Sequence, residues 1–94
     1  MAVILSVSGD REYVDLTQFP LVERVRKLHE IVGGSLEAIP IGGGQFVLYW
    51  EDAKAMDLPT NLPATLLARS FLQEDDYIAG IAVQTSQREL DATP

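Results

Sequence analysis

Hydrophobic and polar positions alternate at the start of the chain. Val3, Leu5 and Val7 fall on one side and Ile4, Ser6 and Ser8 on the other, the period-two pattern of a strand. Ser8-Gly9-Asp10-Arg11 is turn chemistry, and residues 12–16 return as a second short strand, which predicts a hairpin. The period then changes. Leu21, Val25, Leu28 and Val32 recur at i, i+4, i+7 and i+11, one apolar stripe along a helix. Glu23–Lys27 and Arg26–Glu30 are oppositely charged pairs four apart on its other side. Thr17 or Gln18 is expected near the cap of this helix, with Pro20 in its first turn. Gly33 is expected to close it in the left-handed conformation, and Gly34 to allow a sharp turn into the next strand.

Residues 35–41 read as a strand, 42–44 as a hairpin loop and 45–51 as the returning strand. Phe46, Leu48 and Trp50 face one way and Val47 and Tyr49 the other, and a strand apolar on both faces belongs inside its sheet. Glu51-Asp52-Ala53-Lys54 turns the chain. Residues 58–63 are extended and lead into a short helix over 63–70, with Asn61 as its cap. Residues 77–85 are a last apolar strand, interrupted by Gly80. The predicted order is β-β-α-β-β-α-β. The fold class is α+β: a single small domain over 1–86, with two helices packed over one face of a mostly antiparallel sheet. Residues 87–94 are polar and without a core pattern, and are expected to form a flexible C-terminal tail.

Composition narrows the chemistry. The chain has 94 residues and no cysteine, so thiol nucleophiles, disulfides and thiolate metal sites are excluded. Fourteen acidic residues face seven Lys and Arg, for a net charge of −7. Phosphate-backbone binding needs a basic footprint, so direct nucleic-acid binding is not expected. The acids are spread along the chain among the bases, the pattern of an acidic soluble surface. No apolar run approaches the roughly 20 residues of a membrane span, and no leader is evident; the expected location is cytoplasmic.

Few residues carry candidate chemistry. Gly42-Gly43-Gly44 lacks the Lys-Ser/Thr end and the following helix of a phosphate loop, and reads as a hairpin turn. His29 is the single histidine, and its place in the last helical turn suits the carbonyl end of the dipole. Glu74-Asp75-Asp76 lacks the alternating ligands of a calcium loop and reads as a charged turn. Phe46, Tyr49 and Trp50 read first as core, with a binding surface as the alternative. Glu37 shares a face with Ile39 and Ile41, either partly buried or exposed at an edge, and Tyr49 or Glu51 stands opposite according to register. Glu37, Tyr49, Glu51 and Asn61 are therefore the candidate ligand-binding residues. No catalytic residue, metal site or cofactor is expected.

Four segments together resemble a family of small uncharacterised domains, DUF3846. They are Leu28-His29-Glu30-Ile31-Val32-Gly33-Gly34-Ser35-Leu36-Glu37, Val47-Leu48-Tyr49-Trp50-Glu51-Asp52-Ala53-Lys54, Leu58-Pro59-Thr60-Asn61-Leu62-Pro63-Ala64-Thr65 and Asp76-Tyr77-Ile78-Ala79-Gly80. The resemblance spans about residues 19–85. Trp50 departs from it, standing where the family pattern has Asn before an acidic pair. The resemblance implies an accessory protein of a phage or other mobile element in bacteria, and no reaction.

The expected function is that of a non-enzymatic binding or interaction protein. Its partner is an unidentified protein, and an open sheet edge in so small a domain invites a homo-oligomer. Two alternatives differ in class. One is an acidic DNA-mimic-type inhibitor of a host defence or DNA-processing protein. The other is a small-molecule binder, for instance of a nucleotide signal, built around the four candidate residues.

Overall fold

A computed structural model describes residues 1–90. Five strands form one antiparallel sheet: β1 (Ala2–Leu5), β2 (Arg11–Val14), β3 (Leu36–Gly42), β4 (Gln45–Trp50) and β5 (Ala82–Ser86). Their order is β2-β1-β5-β4-β3, so the last strand slots between the two hairpins. Three helices accompany them: α1 (Leu21–Val32), α2 (Leu62–Ala68) and α3 (Gln87–Leu90). The α+β class and the strand–helix order agree with the sequence pattern.

The helices do not share a face of the sheet, contrary to expectation. Leu28 and Val32 of α1 pack with Leu48, Phe46 and Trp50 on one side. Ala64 and Ala68 of α2 pack with Val47, Tyr49, Leu5 and Ile39 on the other. The cause is the two-faced strand β4. Its apolar residues alternate onto both faces, and each face needs its own cover. In α1 only the second half of the apolar stripe is buried; Leu21 and Val25 stay exposed.

Local chemistry shifts several boundaries. The carboxylate of Asp15 accepts from Thr17 N and caps a single 3-10 turn, Leu16–Gln18. Helix α1 begins only after Pro20, so neither Thr17 nor Gln18 caps it. Gly33 ends α1 with φ 104°, the left-handed cap expected. Gly34 has a different reason from a sharp turn alone. A Cβ there would lie 2.8 Å from Cε2 of Trp50, so the indole rests directly on this corner. His29 Nδ1 and Gly34 O, 2.8 Å apart, tie the same corner to the last helical turn. The helix predicted over 63–70 is Leu62–Ala68 followed by a 3-10 turn, Arg69–Phe71. Of the strand predicted over 77–85, the first part makes only an isolated bridge, Thr60 with Ala79, and β5 proper starts at Ala82.

The expected tail starts as structure. Ser86-Gln87-Arg88-Glu89 is a capping-box sequence: Glu89 N donates to Ser86 Oγ at 3.2 Å and Ser86 Oγ donates to Glu89 Oε1 at 3.0 Å. Arg24 of α1 donates to Glu89 O at 2.9 Å, and Leu90 packs against the α1 core. The remainder of the expected tail, 91–94, lies outside the described residues.

Candidate functional site

The β3–β4 register sets Glu37 directly opposite Tyr49. Strand β3 is an edge of the sheet, and Glu37 is exposed there. Tyr49 is half-buried beside α2. Burial raises its phenol pKa, and the negative charges of Glu37, Asp76 and Glu51 raise it further. The phenol therefore stays protonated as pH rises past the ordinary tyrosine range.

Asp76 is the member that sequence reasoning missed. It comes from the turn after α2 and reaches the turn after β4, where it pairs with Lys54. The Lys54 hydrogen bond, followed by that of Tyr77 N at 2.8 Å, holds the Asp76 carboxyl below the usual range. Lys54 Nζ also stands 4.4 Å from the centre of the Tyr77 ring. Glu74-Asp75-Asp76 was visible as a charged turn. No spacing rule joins it to a lysine 22 residues away.

Asn61 is not part of this group of charges. It is fully buried, and each polar part of its side chain is engaged. Nδ2 donates to Leu5 O at 2.9 Å and Gly80 O at 2.8 Å, and Oδ1 accepts from Ala64 N at 3.0 Å. It caps α2 as expected and also ties the end of β1 to the chain before β5. Of the four candidates, Glu37 and Tyr49 meet, Glu51 adds charge beside them, and Asn61 is structural.

Helix α2 carries a feature the sequence reading passed over. It buries Ala64, Thr65 and Ala68 and turns its leucines outward. Leu62 and Leu66 are each 57% exposed and Leu67 38%, and Phe71 just beyond is 53% exposed. By helical spacing Leu62 and Leu66 lie along one flank and Leu67 on another, and Phe71 follows in the 3-10 turn. Phe71 approaches the end of β3, since a Cβ on Gly42 would sit 3.8 Å from its ring. The signal was present as Ala64 and Ala68 four apart among leucines. Hydrophobicity alone reads such a helix as buried all round.

Chemically, the site offers carboxylate acceptors and one phenol donor beside an apolar ridge. Among the described residues no group of three His, Asp or Glu side chains is placed to hold a metal ion. Among them, too, no helix is long and apolar enough to cross a membrane. Comparison with family models, curated proteins and solved structures finds no match to this chain.

Proposed function

We propose that this chain is a non-enzymatic binding protein whose partner is a protein docking on the outer face of α2. One observation carries this reading: α2 is inside out, with alanines buried and leucines in water. Leu62 and Leu66, each 57% exposed, forgo part of the roughly 1.5–3 kcal/mol that full burial of a leucine returns. Four exposed large apolar side chains on one short helix and the turn after it are supporting material for an interaction site. The partner's chemistry follows from what stands beside it. Glu37 and Glu51 are exposed and acidic, and the whole chain carries −7. The matching surface is apolar with a rim of Lys or Arg. The setting we propose, a phage or other mobile element, rests on the resemblance to DUF3846.

The test is a pair of variants read against one captured partner. Leu66→Ser with Phe71→Ser is expected to keep the fold and to lose capture by tenfold or more, about 1.4 kcal/mol. Glu37→Gln with Glu51→Gln is expected to weaken binding less and to flatten its salt dependence. Capture unchanged by the α2 variants would overturn the reading. So would substrate turnover by the purified protein that Glu37→Ala abolishes. A second copy of the chain is the other occupant this surface would take, and sedimentation separates it from a foreign partner.

A further inference from the structure

A second open surface lies at the far side of the sheet from β3, where β2 is the edge strand. Ser6 N donates to Asp10 O at 3.0 Å, so residues 6 and 10 form a hydrogen-bonded pair across the β1–β2 hairpin. The register beyond them pairs Leu5 with Arg11, Ile4 with Glu12, Val3 with Tyr13 and Ala2 with Val14. Alternation then points the N–H and C=O of Glu12 and Val14 at β1, and those of Arg11 and Tyr13 outward. Asp15 carries the extended backbone one residue further, with φ -91° and ψ 95°, before the 3-10 turn begins. β2 contains no proline, so its outward N–H groups are all present. Arg11, Glu12 and Tyr13 are exposed, Tyr13 by 66%.

We propose that β2 is the pairing edge for a second copy of this chain, joined antiparallel about a twofold axis at Tyr13. Charge selects both the occupant and the register. Outward groups meet only when odd-numbered positions face odd-numbered ones. Centring on Arg11 sets Arg11 against Arg11 and Glu12 against Asp10. Centring on Glu12 sets Glu12 against Glu12. Both place like charges directly opposite, which is unfavourable. Centring beyond Tyr13 drives the pairing into the 3-10 turn, Leu16–Gln18, and shortens it. Centring on Tyr13 sets Arg11 against Asp15 of the second copy on both sides of the axis, and Glu12 against Val14. It also brings the two exposed Tyr13 rings together. The whole extended run 11–15 is then paired. Tyr13 N–H donates to Tyr13 O and Asp15 N–H to Arg11 O across the axis. Arg11 N–H meets Asp15 O, which otherwise holds only Gln18 N at 3.4 Å. Such a pair closes on itself and consumes both copies of this edge. The contact is small, so the dimer is weak and depends on concentration.

The experiment is sedimentation of the full chain over a concentration series, with single-cysteine cross-linking to read the register. The parent is expected to pass from monomer to dimer as concentration rises. Arg11→Glu exchanges attraction for repulsion on both sides of the axis and is expected to weaken association about tenfold. Arg26→Glu makes the same charge change on the exposed side of α1 and is expected to leave association unchanged. The chain has no cysteine, so an introduced thiol has only its own copy to pair with. Tyr13→Cys brings two Cα atoms to about 5.5 Å, a span that a disulfide bridges, and is expected to cross-link. In Arg11→Cys and Glu12→Cys the equivalent atoms stand beyond about 7 Å, and cross-linking is expected to be at least about tenfold slower. A parent that stays monomeric throughout, equal weakening by Arg11→Glu and Arg26→Glu, or faster cross-linking at position 11 or 12 overturns the proposal. Leu66→Ser with Phe71→Ser is expected to leave this dimer intact. A dimer lost with those side chains lies on α2 instead, which overturns the pairing at β2 and leaves the α2 reading standing.

Discussion

Asn61 shows how one side chain carries several structural duties. Its amide closes hydrogen bonds to α2, to β1 and to Gly80, all away from water. Asn61→Ala leaves two carbonyls and an N–H unsatisfied, and is expected to cost at least about 2 kcal/mol, measured by the denaturation midpoint. Asn61→Asp keeps the cap but loses both donors, and aims a carboxylate at two carbonyls; it is expected to be no better. Tyr49 behaves differently, because its neighbours act through charge. A phenol whose pKa is raised on folding stabilises the native state fully below its unfolded value of 10.0, and that contribution fades as pH rises through the folded value. Spectroscopic titration is expected to show one tyrosine ionising late. Glu37→Gln is expected to bring that step earlier, and no movement would remove Glu37 from the site. Asp76 has the opposite sign: its pairing with Lys54 favours the fold above the ordinary carboxylate range and is lost as pH falls.

At the scale of elements, α2 inverts the usual cost of substitution. Leu66→Ser at the exposed surface is expected to change stability by no more than about 0.5 kcal/mol. Ala64→Leu adds bulk where the helix meets β4 and is expected to cost about 1–3 kcal/mol. Thermal or chemical unfolding of the two variants checks the order, and a larger loss from Leu66→Ser would show that its side chain is packed. The small buried face explains itself: alanines let the helix backbone lie close over Leu5 and Val47. Much at this scale was legible from short-range chemistry. Gly33 closes its own helix, Asn61 caps its own helix, and the alternation in β4 is intrinsic to six residues. The capping box at Ser86 was equally local, and went unread because no apolar run follows it.

At the scale of the molecule, covering both faces leaves two edge strands among the described residues, β2 and β3. Strand β2 is four residues long and presents Arg11 and Glu12. Strand β3 is longer, and Pro40 guards it. Glu51 N bonds Ser35 O, so alternation places the nitrogen of Pro40 on the outward side, where it has no proton to offer a neighbour. Edge-to-edge pairing there, the route to a homo-oligomer that sequence invites, would therefore lack one ladder hydrogen bond at Pro40. Pro40→Val restores the outward donor and is expected to promote association, seen as faster sedimentation at rising concentration. A variant that sediments as the parent does would mean that the edge is protected by something other than Pro40.

The sequence by itself determined the order of the main strands and helices and those ends that a local cap sets, such as Gly33 and Asn61, because caps, turns and face alternation act between residues a few positions apart. It also contained the reason for two helical layers, in the apolar character of both faces of β4. Only the tertiary structure decided that β5 lies between β1 and β4, that the helices take opposite faces, and that Asp76 and Lys54 meet beside Tyr49. Those choices are made by burying surfaces that no single segment can bury alone. The same step turned α2 outward: its alanines fit close against the sheet, and its leucines were left in water.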